Sequence, residues 1–316
     1  MSVPEKFISC DWGTSNFRLR VIKTDTLDVL EEFQTNKGVK KVYREYLEQK
    51  KVDQGRYFSN YLVEQLSNIS TSIDDKVIVA SGMISSSIGM KELGYSQMPF
   101  DAFGENLFSK RLSLARNLSV LMVSGARTQD DVMRGEEVQA VGLSTLLPVQ
   151  KEGVLILPGT HSKHLSFKDS KYTELNTFMT GEMFDIISNQ SILRNSVTPG
   201  EMNEAAKAHF IQGVRVGAEE GYTNQLFKIR AHDLISNVDK TTAYYYLSGL
   251  LIGDELSYLK EYDSSICMAA SGKINELYQL ALNDLIEKKD NLIVFEEDVI
   301  EKALLIGQRK ILEQYV

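Results

Sequence analysis

Cysteine is scarce in this chain, since only Cys10 and Cys267 occur among its 316 residues. Each lies within an apolar run, so we expect two buried free thiols in a reducing compartment rather than a disulfide. Histidine is also rare, and the four histidines at positions 161, 164, 209 and 232 have no cysteine partners nearby in the sequence. A zinc site built from cysteine and histidine is therefore not expected.

Long apolar runs and an excess of positive charge are absent as well. No apolar run approaches the ~20 residues of a membrane span, and the opening MSVPEKF has no stretch of signal-peptide type. The formal net charge is −8, whereas nucleic-acid-binding domains usually carry a basic patch. These features predict a cytoplasmic protein with neither membrane nor nucleic acid as a partner. A local basic site for an anionic substrate remains compatible with them.

The composition, with 43% hydrophobic and 25% charged residues, is that of a globular protein, and the length favours two domains. Three strand-like runs followed by alternating helices and strands occur once before Pro148 and again after it. We therefore predict an α/β protein with similar domains at 1–130 and 151–316, a connecting helix within 131–150, and a ligand cleft between the domains.

The segment FISCDWGTSNFRLRVIK, residues 7–23, has two alternating apolar runs around a polar turn, which is typical of a β-hairpin. Gly13 would let the backbone approach a ligand closely, and the amides of Gly13, Thr14 and Ser15 would form an anion-binding nest. Asp11, at the end of the first strand, would hold a hydrated divalent cation beside that anion. An ordinary polar turn is the alternative interpretation.

A second Gly-Thr turn occurs in LPGTHSKH, residues 157–164, again between two strand-like runs. Its Gly159 and Thr160 would bind phosphate oxygens, with the Thr160 hydroxyl donating to the γ-phosphate. His161 or Lys163 would neutralise charge on the transferred group. A hydrogen-bonded turn histidine and a solvated strand lysine are the alternatives.

Two further segments contain candidate ligand-binding residues. Ser271 and Gly272 end a buried strand before a helix, where the missing side chain of glycine would leave room for adenosine; a simple helix cap is the alternative. The loop 82–92 carries hydroxyl donors and a cation suited to the carboxylate of a hydroxylated acid, or is a flexible surface loop. Its candidate residues are Ser85, Ser86, Ser87 and Lys91.

The segment DVMRGEEVQAVG places an arginine and several acids at a predicted helix start. Arg134 is a second candidate for binding the substrate carboxylate. Asp131, Glu136 and Glu137 are candidates for the base that accepts the hydroxyl proton during phosphoryl transfer. Acidic residues at a helix start also favour the helix dipole without any catalytic role, and this alternative stays open.

These segments together resemble one family. The Asp-x-Gly-Thr-x-Asn-x-Arg pattern from Asp11 resembles the first phosphate-binding motif of the sugar kinase, actin and heat-shock ATPase superfamily. The blocks DWGTSNFR, ASGMISSSIGMKE, DVMRGEEVQAVG, LPGTHSKH, FMTGE, LSGLLIGDE and AASGKINELY, in this order, closely resemble the bacterial 2-dehydro-3-deoxygalactonokinases. The resemblance covers nearly the whole chain, although residues 36–60 have no counterpart in it.

The resemblance implies two actin-like (ribonuclease H-like) domains, each a mixed five-stranded sheet with helices, around a nucleotide cleft. It implies transfer of the γ-phosphoryl group of ATP to the 6-hydroxyl of 2-keto-3-deoxy-D-galactonate, with Mg²⁺ held by Asp11 through water. Related kinases place an acid after a glycine at the corresponding helix start, which favours Glu136 as the base, with Asp131 second. Alternatives are a kinase for another sugar acid or a hexose, and a non-catalytic nucleotide-binding protein. The sequence leaves a homo-oligomer open.

Overall fold

The computed structural model describes residues 3–49, 51–71 and 76–315. The strands are β1 (Lys6–Trp12), β2 (Phe17–Lys23), β3 (Val29–Thr35), β4 (Lys76–Gly82), β5 (Ser96–Gln97), β6 (Phe100–Asp101), β7 (Ser109–Ala115), β8 (Leu118–Val123), β9 (Ala126–Arg127), β10 (Val132–Met133), β11 (Gly153–Leu157), β12 (Ser162–Lys168), β13 (Lys171–Phe178), β14 (Ser265–Met268) and β15 (Leu292–Val294). The helices are α1 (Val39–Gln49), α2 (Gln54–Gln65), α3 (Glu136–Leu143), α4 (Thr180–Gln190), α5 (Glu204–Glu220), α6 (Thr223–Ser236), α7 (Lys240–Leu256), α8 (Gly272–Leu285) and α9 (Glu297–Glu313).

The chain divides into two compact units. The first comprises Met1–Glu152, Leu165–Leu175 and Asp298–Val316, and the second comprises Gly153–His164 and Asn176–Glu297. The first change of unit lies close to the predicted boundary at 150, but the chain then returns to the first unit twice. Helix α3, predicted to connect the domains, lies within the first unit.

The C-terminal helix α9 belongs mostly to the first unit because its buried face carries contacts to the opening strands. The fully buried Gln308 donates through Nε2 to the carbonyl oxygen of Cys10 (3.3 Å) and to Ser81 Oγ (3.0 Å). A Cβ at Gly307 would lie 2.0 Å from the carbonyl oxygen of Val138, so the backbones of α9 and α3 are in contact. A local sequence pattern cannot show that a helix at the end of the chain packs against strands from its beginning.

The large sheet of the first unit has the strand order β3-β2-β1-β4-β8-β7. Strands β1, β2 and β3 are antiparallel, and β1, β4 and β8 are parallel to one another. An antiparallel trio followed by parallel strands is the ribonuclease H-like arrangement. The predicted hairpin is confirmed, with Asp11 opposite Arg18 and Trp12 opposite Phe17. Both aromatic side chains are fully buried, which fixes the register of the turn between them.

Residues 36–57 show little apolar periodicity in the sequence, yet most of the segment is helical. Helix α1 occupies Val39–Gln49, and α2 begins at Gln54. In α1, Val39 and Val42 are buried at helical spacing, but the charged residues between them obscured this pattern. The edge strand β7 was also not predicted, because its solvent-facing side is polar.

In the second unit, β11, β14 and β15 are parallel. Helices α5 and α7 pack with their backbones in contact through two pairs of glycines, Gly213 and Gly217 on α5 and Gly249 and Gly253 on α7. A Cβ at Gly249 would lie 2.1 Å from the carbonyl oxygen of Phe210. Helix α5 ends before Gly221, whose φ is +71°.

The second large sheet has the order β15-β14-β11-β12-β13-β6. Each large sheet thus has six strands, one more than predicted, because β7 and β6 are added at the edges. Both cysteines are free and buried, as predicted.

Within the described ranges, no helix combines the length and the apolar character that crossing a membrane requires.

Candidate active site

The turn between β1 and β2 is held from one side by the start of α1. The amides of Gly38, Val39 and Lys40 donate to the carbonyl oxygens of Ser15 (3.0 Å), Gly13 (3.0 Å) and Thr14 (3.3 Å). Within the described residues, no backbone acceptor bonds the amides of Thr14 and Ser15. Since the carbonyl groups are occupied, the exposed face of this turn presents N–H and hydroxyl groups, which suits an anion.

Asp11 lines a cavity of about 710 Å³ together with residues 13–16 of the turn. Burial raises the pKa of its carboxyl; the charges of Arg20 and Arg18 lower it, and the charge of Glu136 raises it, leaving the pKa above its ordinary value. The two arginines therefore do not fully offset the desolvation of this half-buried carboxylate, and a divalent cation beside it would stabilise its charge. No group of three or more His, Cys, Asp or Glu side chains in the described part of the chain is arranged for a metal ion. A cation at Asp11 would take its other ligands from water and phosphate oxygens.

Both glutamates at the start of α3 bind backbone amides. Glu136 Oε2 accepts from the amide of Arg134 (3.1 Å), and Glu137 Oε2 accepts from that of Gly135 (2.7 Å). Glu137 is fully buried, and burial together with the charge of Glu136 raises its pKa to about 8. Glu136 is only half-buried and lies close enough to Asp11 to affect its pKa. Of the two, Glu136 is the one whose carboxylate remains accessible.

Asp131 does not lie at the start of α3, where the sequence placed it. The cap of α3 is Gly135, with φ at +121°, a conformation that side chains disfavour. Asp131 instead lies in the turn joining β9 and β10, where its Oδ1 accepts from the amide of Val132 (2.7 Å) and its own amide bonds Thr128 Oγ1 (2.9 Å). Its carboxylate is half-buried.

Arg134 is fixed against the serine-containing loop. Its guanidinium donates to the carbonyl oxygen and to Oγ of Ser85 (both 2.6 Å) and to the carbonyl oxygen of Leu93 (3.2 Å), and it lies 4.3 Å from the ring centroid of Tyr95. Ser85 is fully buried. The structure thus brings Arg134 and Ser85 together, but the fully buried Ser85 supports the guanidinium rather than presenting its hydroxyl to a ligand.

The other loop residues are held differently. The buried Ser86 Oγ donates to the carbonyl oxygen of Met83 (2.7 Å), so it stabilises a short 3₁₀ turn, Met83–Ser85. Ser87 and Lys91 are exposed. The side chain of Gln54, at the start of α2, donates to the carbonyl oxygens of Ser87 (2.8 Å) and Gly89 (2.7 Å) and so anchors the loop from the other side.

In the second unit, the start of α4 packs directly against the Gly159–Thr160 turn. The amide of Glu182 donates to the carbonyl oxygen of Thr160 (3.0 Å), and a Cβ at Gly181 would lie 2.6 Å from the carbonyl oxygen of Gly159. The turn therefore lies against the N-terminus of α4, which is the positive end of the helix dipole.

A cavity of about 1000 Å³ adjoins this turn. Thr160, Gly159, Thr180 and Gly181 form its polar end, whereas aromatic and aliphatic side chains form most of the remainder. These are Phe184, Met202, Tyr244, Tyr245, Leu251, Ile252, Ile274 and Leu277. A polar end beside an apolar wall is suited to a ligand with an anionic tail and a flat apolar group, as in a nucleotide.

The remaining predicted residues of the second unit lie around this region with different contacts. His161 is exposed and its Nε2 lies 2.5 Å from Glu182 Oε2. Lys163 is buried and donates to Thr177 Oγ1 (2.8 Å), so the alternative of a solvated lysine is wrong. Ser271 and Gly272 are exposed at the start of α8. Gly272 has φ at +62°, and a Cβ there would have no heavy atom within 4 Å. The next two residues, Lys273 and Ile274, line the cavity.

Sequence reasoning missed a buried polar cluster behind this cavity. Glu255, 1% exposed, accepts hydrogen bonds from four side chains that are far apart in the sequence. Its partners are Ser162, His164, Thr180 and Tyr278. A carboxylate in the helical segment LSGLLIGDE resembles an ordinary solvent-facing acid, and only its apolar neighbours hinted at burial.

Comparisons with known proteins agree with this geometry. The family model described as 2-keto-3-deoxy-galactonokinase matches residues 11–304. A protein of Rhizobium meliloti (strain 1021) assigned as 2-dehydro-3-deoxygalactonokinase is 30% identical over 292 residues, covering 89% of this chain and 90% of the relative. The 2-dehydro-3-deoxygalactonokinase of Escherichia coli (strain K12) is 27% identical over 284 residues, covering 87% and 89%.

A solved structure agrees as well. The crystal structure of a Sinorhizobium meliloti protein assigned to the 2-dehydro-3-deoxygalactonokinases superposes with a TM-score of 0.80 at 29% identity, covering 96% of each chain. Together with the strand order of the first unit, this similarity confirms the predicted actin-like α/β fold class.

Proposed function

Because this chain belongs to the 2-keto-3-deoxy-galactonokinase family, we propose that it transfers the γ-phosphoryl group of ATP to the 6-hydroxyl of 2-keto-3-deoxy-D-galactonate. Family membership confirms the predicted reaction class, a phosphotransferase with an alcohol group as acceptor. One observation carries the assignment of a nucleotide site. Three separate blocks that resemble the family, PGTHSK, MTGE and ASGKINELY, contribute lining residues to a single cavity of the second unit.

The second unit supplies the nucleotide site in this proposal. The base would lie against the apolar wall formed by residues such as Phe184 and Tyr244, while Thr160 and the amides of its turn bind phosphate oxygens. Gly272 gives the backbone of the strand-to-helix turn its left-handed conformation, with Ser271 beside it as a donor for the ribose. The contact of Lys163 with Thr177 makes this lysine a support of β12 beside the turn.

In this proposal the first unit supplies the acid site and the phosphate-binding turn Gly13–Ser15. Arg134 presents a planar cation beside Ser85, and a guanidinium binds a carboxylate more specifically than a lysine ammonium does. Ser87 and Lys91 on the same loop would bind hydroxyl and carboxylate oxygens at the exposed side. The turn from Gly13 to Ser15 would bind phosphate through its N–H and hydroxyl groups.

The uncompensated carboxylate of Asp11 fits a Mg²⁺ ion, which we propose it holds through water. When bound, Mg²⁺ neutralises charge on the phosphate oxygens. Glu136 would accept the proton of the acceptor hydroxyl in this proposal, and its bond to the amide of Arg134 supports the role by orienting the carboxylate. A cytoplasmic location is consistent with the two buried free thiols and with ATP as substrate.

The test is to incubate the purified protein with ATP, Mg²⁺ and a panel of sugar acids and hexoses, and to follow ADP release. The proposal predicts that 2-keto-3-deoxy-D-galactonate gives the highest kcat/KM. A preference for another acid or for a hexose would leave the kinase but replace the substrate. ADP release that no acceptor stimulates would instead favour a nucleotide-binding protein without a sugar site.

A further inference from the structure

The buried carboxylate of Glu255 connects every element that forms the polar end of the nucleotide cavity. Ser162 Oγ (2.7 Å) and His164 Nε2 (2.8 Å) contact Oε1, while Tyr278 OH (2.7 Å) and the Thr180 hydroxyl donate to Oε2. Ser162 and His164 lie on one face of β12, directly after the Gly159–Thr160 turn. Thr180 begins α4, and Tyr278 lies on α8.

Four donors fill the lone-pair sites of one carboxylate, and this constrains the charge state of the cluster. Burial raises the pKa of Glu255, but its interactions with His164 and the hydrogen bonds from Thr180 and Tyr278 outweigh burial and leave the pKa below its ordinary value. Glu255 therefore acts as a pure acceptor. Nδ1 of His164 lies 2.7 Å from the hydroxyl oxygen of Tyr258, and this contact extends the network to the end of α7.

We propose that Glu255 is a positioning residue for nucleotide binding, holding the Gly159–Thr160 turn, the start of α4 and α8 in the arrangement that the ligand requires. Two of its donors, Thr180 and Tyr278, themselves line the cavity. The fully buried Ser162 joins the strand that follows the turn to Glu255 on α7. This role deepens the proposed function and rests on it, because it assumes that the cavity binds the nucleotide.

A substitution that removes the charge of Glu255 but keeps its shape distinguishes a role in positioning the nucleotide site from a contribution to stability alone. In Glu255→Gln, the amide nitrogen would face two groups that now donate, so at least one contact must be lost or rearranged. We expect calorimetric titration with ADP to give a dissociation constant raised about tenfold or more, with full stoichiometry. The KM of the sugar acid should stay within about twofold. Glu255→Asp, which keeps the charge, should bind ADP more tightly than Glu255→Gln.

Asp233→Asn is the matched control. Asp233 is another carboxylate of the second unit that accepts hydrogen bonds from two side chains, Ser196 Oγ (2.8 Å) and Arg230 (2.7 Å). It does not line the cavity. This variant should lose stability but keep the wild-type affinity for ADP. If Glu255→Gln behaved in the same way, with wild-type affinity in its folded fraction, the positioning role would be overturned.

A second variant keeps the proposal testable if Glu255→Gln fails to fold. Ser162→Ala removes one donor from a fully buried position outside the cavity lining, and it should weaken ADP binding about threefold to tenfold. Wild-type affinity in Ser162→Ala would contradict the proposal even without a folded Glu255 variant. Failure of the wild-type protein to bind ADP would overturn the nucleotide site itself, and the role of Glu255 with it.

Discussion

Lys91 and Arg134 are the two cations of the proposed acid site, and the fold holds them differently. Arg134 is fixed by Ser85, Leu93 and Tyr95, whereas Lys91 is exposed on the loop. If Lys91 binds the carboxylate, Lys91→Met should raise the KM of the sugar acid ~30-fold, which corresponds to a loss of about 2 kcal/mol of binding free energy. The KM of ATP should stay unchanged. Steady-state kinetics beside the exposed-lysine control Lys110→Met provides the measurement. An unchanged KM would mean that Lys91 is solvated and that Arg134 or another cation binds the carboxylate.

Asp11 is the proposed cation-binding residue of the first unit. Asp11→Asn should lower turnover at least ~100-fold with the fold intact, because it removes the charge that we propose faces the cation. Fluorescence of Trp12, the single tryptophan, reports the integrity of the neighbouring strand. Asp25→Asn, an exposed aspartate at the other end of β2, serves as the control. Near-normal turnover of Asp11→Asn at saturating Mg²⁺ would refute the assignment.

The acids near the start of α3 give a prediction that separates catalysis from capping. Glu136→Gln should lower kcat by roughly 10²–10⁴-fold with little change in either KM, as removal of a proton acceptor does. Glu137→Gln and Asp131→Asn should keep most of their activity, since Glu137 is fully buried and Asp131 is part of a separate turn. A capping role for Glu136 would cost only ~0.3–1 kcal/mol of stability and leave kcat unchanged. A wild-type kcat in Glu136→Gln would transfer the role to another acid.

At the scale of single residues, the sequence predicted which residues lie in turns better than it predicted which side chains contact one another. Gly13, Thr14, Gly159 and Thr160 lie in turns as predicted, because glycine and threonine between alternating apolar runs are strong local signals. Glu255 was missed because its four partners come from β12, α4 and α8, and no local pattern joins them. Arg134 could be named as a candidate, but its contact with Ser85 required the fold.

Among the elements, the crossing of α5 and α7 is the most constrained by sequence. Alanine in place of glycine stabilises an isolated helix by up to ~1 kcal/mol, but a Cβ at Gly249 would lie 2.1 Å from the carbonyl oxygen of Phe210. Gly249→Ala should therefore lower the free energy of unfolding, by about 1–3 kcal/mol. Circular dichroism in urea measures this loss. Gly94→Ala, with no heavy atom within 4 Å of its Cβ, should change stability by less than ~0.5 kcal/mol.

Helices and strands whose apolar residues follow one clear pattern could be predicted, and those whose few apolar residues lie among charged ones could not. The buried parallel strands β4 and β8 carry continuous apolar runs, which are a clear local signal for a strand covered on both faces. Helix α1 was missed because lysines and glutamates surround its few buried positions, and its packing against the Gly13–Ser15 turn supplies stability that the sequence does not display.

If Gly249→Ala did not destabilise the protein, α5 and α7 would be able to separate at little cost in free energy.

For the whole molecule, the repeated order of strands and helices predicted two α/β units, and the fold class is confirmed. The assignment of residues to units was harder to predict, because α9 joins the first unit through Gln308 at the far end of the chain. Local periodicity shows which face of α9 is buried but not which sheet covers it. That choice depends on contacts separated by almost the full length of the sequence.

The stability of the first unit should depend on pH through Glu137. Burial, together with the charge of Glu136, raises the pKa of this carboxyl to about 8, whereas an unfolded glutamate titrates near ~4.3. Between these values the folded state keeps a proton that the unfolded state releases. The stabilising contribution is therefore complete below the unfolded pKa and is lost as the pH rises through the folded one, by up to ~1.4 kcal/mol per pH unit.

Glu137→Gln has no proton to lose, so its stability relative to the wild type should increase from pH 5 to pH 8 and level off above that. Trp12 lies in the first unit, so its fluorescence during urea unfolding at each pH reports this unit specifically. Because every other titrating group is common to both proteins, the difference between the two curves isolates Glu137. Glu64→Gln controls for the loss of one exposed negative charge. Parallel curves for Glu137→Gln and the wild type would show that Glu137 is already ionised in the folded protein.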